Sequence, residues 1–411
     1  MRSQNPTDFD LLIIFVVSRD WQVKRDIKLL ELISQRGLIF NYIFFSEDEF
    51  TLGNAHKILK KFGLNYSSFP RKLKTNTPIW HSSTYSEEYG SAQRDFSNLI
   101  AGLKIHKYKK VLVFSDGIGG SVSGLPTQVL CECLIHKSLI VVQIQHSFLP
   151  LSKLGILRTM INSTYRRNNP KKKVYNLVHD NYSKFYALSR GAKLKQSLKV
   201  GNLNLLAIPN LKSFFVPKEL FIPQEIILFT NGSFRSKVSS DNVKFRNLIE
   251  QLLDFLPIDV NLIIKPKSGE VLNLNSFFGD LIIQGRVEIQ SEDFSIEEVK
   301  QNQIIFCSKD SNLTLEAGLL SLRLGHYEMK KKATTRIIKY LGGLESTSIF
   351  SNGFIDKNNI LKLMDSDISN SLNLSLNSER LSNEWESVQK GFLIAFDKLI
   401  QVEKLSEFPV D

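Results

Sequence analysis

The chain alternates short, almost wholly apolar runs with longer stretches in which apolar residues recur every three or four positions. In the first half, LLIIFVV (11–17), GLIFNYIFF (37–45), VLVF (111–114), LIVVQI (139–144), VYNLV (174–178) and LKV (198–200) read as strands. Helical spacing falls between them at 22–35, 52–61 and 127–136, and in YSKFYALSRG, which ends at Gly191. Strands apolar along nearly their whole length are covered on both faces, the pattern of a parallel sheet between helices.

The rhythm breaks after Asn202, where Pro209, Pro217 and Pro223 predict a linker. It resumes with strands EIILFT (225–230), VNLIIKP (260–266), LIIQ (281–284) and QIIFC (303–307). Helices are expected at 242–255, 312–322, 358–364 and 379–399, and Ser295 with Glu298 forms a capping box for a shorter one. The expected fold class is α/β, with two Rossmann-like parallel-sheet domains facing across a cleft. Residues 1–208 make the amino-terminal domain, 209–224 the linker and 225–385 the carboxyl-terminal domain, and the amphipathic helix in 386–411 packs back across them.

A length of 411 residues, 42% of them hydrophobic, accommodates two cores. The 53 basic and 41 acidic residues leave a net charge of +12, which favours negatively charged partners. Nucleic acid, an anionic membrane, a nucleotide and an anionic glycan all satisfy that balance. The aromatic residues sit inside apolar runs and do not interleave with basic ones, which argues against a reader of specific nucleic acid. Cys131, Cys133 and Cys307 each lie in or beside an apolar run, as reduced core cysteines do, so no metal site or disulfide framework is expected. The run 11–17 is too short for a signal-peptide core, and no run reaches the roughly 18 residues of a membrane span. A cytoplasmic protein is the expectation, with peripheral contact at an anionic inner membrane through basic surface such as 165–173 or Lys330 to Lys332; both runs equally suit solvated loops.

In an open parallel sheet the ligand lies beyond the carboxyl ends of the strands. The residues there are Asp116 with Gly117, Gly119 and Gly120; Gln145 and His146; Asn231 to Arg235; Lys265 to Glu270; and Ser308 to Glu316. Ser308, Ser311, Asn312 and Thr314, ahead of an apolar helix, can offer hydroxyls and free N–H groups to a phosphate, with Glu316 one turn inside to meet a sugar hydroxyl. The plain alternative is that Ser311 or Asn312 caps the helix. Arg235 and Lys267 at other strand ends would focus a negative ligand. The glycines lack dinucleotide-binding spacing and also suit a plain turn. His146 is either a packed histidine or, like Asp116, a candidate general base.

The series ILFTNGSFR, LIIKPKSGE and IIFCSKDSNLTLEAGLL resembles the carboxyl-terminal domain of GT-B glycosyltransferases. The similarity is to bacterial capsule and wall-polymer enzymes of the CDP-glycerol glycerophosphotransferase, polysialyltransferase and CMP-Kdo transferase types. VVQIQHS and VYNLVHDNYSKFYALSRGAKLKQSLKVGN resemble their amino-terminal domain, so that the likeness covers roughly residues 110 to 325. It implies transfer of a sugar, including an acidic one such as Kdo or sialic acid, from a nucleotide-activated donor to a surface-polysaccharide or lipid-linked acceptor. Lipopolysaccharide and capsule synthesis are its setting, and a CMP-linked donor suits the basic charge. No cofactor or metal is implied.

Carried onto this chain, the resemblance places donor phosphate at Ser308, Ser311, Asn312 and Thr314, ribose at Glu316, and further donor contacts at Arg235, Lys265 and Ser268. Lys267 would offset charge on the leaving phosphate, and Asp116 or His146 would take the acceptor proton. The chain departs from the pattern by Lys-Pro-Lys-Ser at 265–268 where those families have Lys-Pro-His-Pro, and by Ser147 where they have Gly. Two further readings stand beside the transferase: a non-hydrolysing nucleotide-sugar 2-epimerase, and a catalytically inactive GT-B scaffold or binding protein.

Overall fold

The computed structural model describes residues 9–17, 20–46, 55–68, 94, 97–98, 100–117, 130–131, 133–134, 138–145, 173–189, 191–208, 224–230, 240–266, 271–290, 303–308, 323–327, 347–350, 356–364 and 371–401. They form two compact units. The first takes in the described residues up to Gln145, from 173 to Ala207, and from Glu384 onward; the second takes in those from Ile208 to Asn383.

Seven parallel strands make the sheet of the first unit: β1 (Phe9–Val17), β2 (Phe40–Ser46), β3 (Tyr66–Ser68), β4 (Tyr108–Asp116), β5 (Leu139–Ile144), β6 (Lys173–Val178) and β7 (Ser197–Lys199). Their order is β3-β2-β1-β4-β5-β6-β7, so the chain runs outward from β1 on one side and then from β4 on the other. The register pairs Phe15 of β1 with Phe44 of β2 and with Phe114 of β4. Those three rings stack at centroid distances of 5.0 and 5.2 Å, all fully buried. Each such side chain contributes about 1.5–3 kcal/mol through removal from water. On the opposite face Leu12, Ile14, Val111, Val113 and Val141 pack with Leu130, Cys131 and Leu134.

Helix α1 (Asp20–Ser34) follows β1, and α2 (Ala55–Lys61) follows β2. Gly37, at φ 65°, ends α1 with its N–H on the Ser34 carbonyl, which is why β2 begins only at Phe40 although apolar sequence starts at 37. Helix α3 (Asn181–Ser189) joins β6 to the short turn before β7.

The second unit holds six parallel strands: β8 (Glu225–Phe229), β9 (Asn261–Lys265), β10 (Val287–Ile289), β11 (Gln303–Ser308), β12 (Arg323–Tyr327) and β13 (Thr347–Phe350). Their order is β10-β9-β8-β11-β12-β13. Helix α4 (Ser240–Phe255) lays Phe245, Leu248, Ile249 and Leu252 on Ile226, Leu228, Leu262 and Ile264. Helices α5 (Val271–Phe277) and α6 (Gly279–Ile283) follow β9, and α7 (Lys357–Met364) follows β13.

One expected strand is a helix. LIIQ at 281–284 belongs to α6 and the turn that ends it: Gly285, at φ 68°, gives its N–H to Ile282 while Arg286 gives its N–H to Leu281. Leu281 is buried but Ile283 is largely exposed, so the run is one amphipathic turn and the strand begins at Val287. The expected helix at 312–322 and the Ser295–Glu298 capping box lie outside the described residues, as does most of 127–136.

The last helix, α8 (Ser371–Gln401), is longer than the expected 379–399 and passes from the second unit into the first at Glu384. In the first unit it buries Val388, Phe392, Ala395, Phe396 and Leu399. Its approach depends on two glycines. A Cβ on Gly391 would stand 2.8 Å from the carbonyl oxygen of Val200, and one on Gly201, at φ 83°, would stand 2.7 Å from Cγ2 of Val388. Lys110 Nζ donates to the carbonyls of Leu399, at 3.2 Å, and Ile400, placing a cation at the negative end of the helix. No helix among the described residues is long and apolar enough to cross a membrane.

Candidate functional site

In the first unit the strands β4, β5 and β6 end at Asp116, Ile144 and Val178, and just beyond β5 and β6 stand the buried polar residues Gln145 and His179. Asp116 Oδ1 accepts from Arg25 Nη1 at 2.8 Å, and its Oδ2 accepts from Gln22 Nε2 at 2.6 Å. Both donors come from the start of α1, three residues apart and therefore on one helix face. Arg25 also gives Nε to Asp26 at 2.7 Å and shares Nη1 with the side-chain oxygen of Asn204 at 3.2 Å.

The network continues along the sheet edge. Asn204 Nδ2 donates to Asn202 Oδ1 at 3.0 Å and to the Gln145 carbonyl at 3.3 Å. The Gln145 side chain accepts the His179 backbone N–H at 2.9 Å, and its carbonyl also lies 3.2 Å from His179 Nε2. A carbonyl can only accept, so that ring nitrogen carries the proton. Gln22, Arg25, Asp26, Gln145, His179, Asn202 and Asn204 are all buried, whereas the Asp116 side chain keeps 17% of its surface. Asp116 is thus the member that a molecule above the sheet could touch.

Burial works against charge here, and pairing restores part of it. Desolvation pulls the Arg25 guanidinium down, but Asp26 and Asp116 outweigh it and hold Arg25 above its ordinary range. Desolvation dominates at Asp26, whose carboxyl rises to about 6 despite the Arg25 ion pair. The two shifts run the same way but differ in effect: Arg25, answered by two carboxylates, is held charged, whereas Asp26, which shares one cation, is pushed toward its neutral form.

In the second unit Lys265, the last residue of β9, is nine-tenths buried with no ion-pair partner among the described residues. Its carbonyl accepts the Thr230 N–H at 3.1 Å, tying the ends of β8 and β9. A cation at a strand end of this kind suits an anionic ligand.

Of the residues singled out in the sequence, Asp116 and Lys265 stand at carboxyl ends of strands, one in each unit. Ser308 is the final residue of β11, and only its backbone is described. His146, Arg235, Lys267, Ser268, Ser311, Asn312, Thr314 and Glu316 lie outside the described residues. Gln22, Arg25 and Asp26 escaped a search of strand ends because they sit on a helix. Their signal is periodicity: the buried stripe of α1 runs Gln22, Val23, Arg25, Asp26, Leu29, Leu30, Leu32 and Ile33, so charge occupies a face that is otherwise apolar.

No protein-family model and no curated protein sequence matches the chain. Solved structures do. The UDP-N-acetylglucosamine 2-epimerase of Rickettsia bellii superimposes with a TM-score of 0.60 at 13% identity, over 95% of this chain and 97% of that one. A glycosyltransferase from Rickettsia africae gives 0.57 at 12% identity, over 96% and 100%. The UDP-GlcNAc 2-epimerase of Neisseria meningitidis, bound to UDP-GlcNAc, gives 0.52 at 13% identity, over 95% and 100%. Identities this low show the fold and do not by themselves establish an activity. The chain has the two parallel-sheet, Rossmann-like domains of the GT-B α/β fold.

Proposed function

We propose that this protein acts on a nucleotide-activated sugar, and that epimerisation of that sugar is its reaction. The observation that carries the reading is the polar edge of the first sheet. Asp116 is held there by Arg25 and Gln22 at the rim of a buried polar network, with 17% of its side chain exposed. In the second unit, taken by itself, Lys265 at the end of β9 is a cation suited to a phosphate. The likeness to structures of UDP-N-acetylglucosamine 2-epimerases, spanning nearly the whole of both chains, supports epimerisation over transfer.

Transfer to a glycan or lipid-linked acceptor is the second reading, favoured by the likeness to the Rickettsia africae glycosyltransferase. In that case the basic charge would draw the protein to an anionic acceptor or to the surface of the inner membrane. Donor phosphate would meet the segment from Ser308 to Glu316 in either reading.

One experiment separates them. Purified protein is incubated with UDP-GlcNAc in deuterated water and followed by proton NMR and by release of free UDP, with and without a lipid-linked glycan acceptor. A second UDP-sugar isomer carrying solvent deuterium supports the epimerase; acceptor-dependent UDP release supports the transferase. If neither occurs, and calorimetry detects no binding of UDP, CMP, CDP or GDP, the nucleotide-sugar reading is overturned in favour of a scaffold.

A further inference from the structure

Helix α3 meets the first sheet along one side only. Asp180 Oδ1 accepts the Ser183 N–H at 2.8 Å and starts the helix, whose buried residues Ser183 and Ala187 lie one turn apart on the side facing β6. The chain then turns at Gly191, whose N–H meets the Leu188 carbonyl, and Ala192 comes back to pack with Ala187 and Val178. One short helical turn, Leu194–Gln196, leads from there into β7, the last strand of the sheet order.

Two large apolar side chains of this stretch are left in water. Phe185 stands two positions from both Ser183 and Ala187, hence on the far side of the helix, and is 57% exposed; Leu194, on the turn that follows, is 62% exposed. A scattered apolar side chain needs no partner, but these two come with cations. Lys184 precedes Phe185, Lys193 and Lys195 bracket Leu194, and Lys199 ends β7. None of the four has an ion-pair partner among the described residues. Asp180, the one carboxylate of 174–200, is engaged in capping α3. Lys173, which closes the basic run read from the sequence, opens the neighbouring strand β6.

Uncompensated cations beside outward apolar side chains fit a partner with negative charge at its surface and hydrocarbon beneath. A nucleic acid or an acidic glycan answers the lysines and gives Phe185 and Leu194 nowhere to bury. A second copy of the chain would set four lysines against four more, and Lys199 on the edge strand opposes pairing of β7 with another strand. A protein partner covers roughly 800 Å² on each side, for which two apolar side chains are a small centre. An acidic bilayer answers both needs residue by residue: each lysine near its surface raises partitioning about fivefold, and each apolar side chain adds its own gain on entering the headgroup layer.

We propose that the outer side of α3 and the turn into β7 dock the first unit on an anionic lipid bilayer, with Phe185 and Leu194 inserted and Lys184, Lys193, Lys195 and Lys199 among the headgroups. The inference does not rest on which reaction the protein performs, since none of these residues belongs to the polar network around Asp116.

The whole protein is sedimented with vesicles of phosphatidylcholine alone and of phosphatidylcholine with about one third phosphatidylglycerol, at low and at high salt. Three double variants are compared with wild type, each checked for folding by circular dichroism: Phe185→Ser/Leu194→Ser, Lys193→Gln/Lys195→Gln, and Lys60→Gln/Lys61→Gln at the end of α2, on the β3 side of the sheet. Wild type is expected to bind only the acidic vesicles and to release them at high salt. The first two variants are expected to bind about tenfold or more weakly, and the third as wild type does.

Absence of binding by wild type overturns the proposal, and so does an equal loss in Lys60→Gln/Lys61→Gln, which would assign the attraction to net charge alone. Vesicle binding that survives Phe185→Ser/Leu194→Ser, with equal retention on heparin, assigns the patch to a polyanion instead. Self-association in ultracentrifugation that the same variant abolishes assigns it to a second copy of the chain.

Discussion

Gly391 of α8 lies against Val200 so closely that a Cβ added to it would stand 2.8 Å from the Val200 carbonyl oxygen and 3.1 Å from its Cα. Both neighbours are backbone and cannot swing aside. Gly391→Ala is therefore expected to destabilise the first unit by about 1–3 kcal/mol, read as a lower urea midpoint with tryptophan fluorescence. An unchanged midpoint would show that α8 slides on the sheet end without cost.

Lys110 makes the other end of that contact. Its ammonium donates to the carbonyls of Leu399 and Ile400 in the last described turn of α8. Lys110→Met keeps the apolar stem and removes the charge, and is expected to cost about 1 kcal/mol. Amide hydrogen exchange should rise first in the last turn of α8; uniform protection in the variant would contradict the capping role.

Gly325 in β12 faces the ring of Phe306 in β11, with three ring atoms within 2.7 Å of where a Cβ would be placed. Phe306 is fully buried, so it has nowhere to retreat. Gly325→Ala is expected to lower stability of the second unit by about 1–3 kcal/mol, and Gly325→Ala/Phe306→Leu to recover part of that loss. Additive losses in the pair, measured by thermal unfolding, would show that ring and strand do not meet.

Asp26 gives a pH dependence with a definite sign. Burial raises its carboxyl from 3.8 to about 6, so between those values the folded state binds more protons than the unfolded one. Its contribution to stability is fully present below pH 3.8 and is lost as pH rises through about 6. Asp26→Asn should flatten that part of the stability profile and leave the protein relatively more stable near neutrality. Urea titrations at a series of pH values decide it, and a slope preserved in the variant would assign the effect to other groups.

Much of the architecture is legible in the sequence because parallel strands buried on both faces are apolar throughout. LLIIFVV, LIVVQI and EIILFT announce β1, β5 and β8 in this way. RLGHY does not announce β12, since Arg323 and His326 break the apolar run although both are buried. Arg323 is accommodated by giving Nη1 to the Leu363 carbonyl at 2.7 Å, a partner forty residues away that no local pattern reveals. The same holds for the site. Asp116 is visible at a strand end, but its partners Arg25 and Gln22 are brought to it from 91 and 94 residues away by the sheet order alone.

The return of α8 to the first unit also bears on the order in which the molecule is made. Strands β1 to β7 leave the ribosome before β8 to β13, and Phe392, Phe396 and Leu399, which are buried in the first unit, follow only after all of these strands. The second unit can close as soon as its own strands have emerged. The earlier sheet must meanwhile wait with an apolar strip uncovered, and so it is the part of the nascent chain that a chaperone would hold longest.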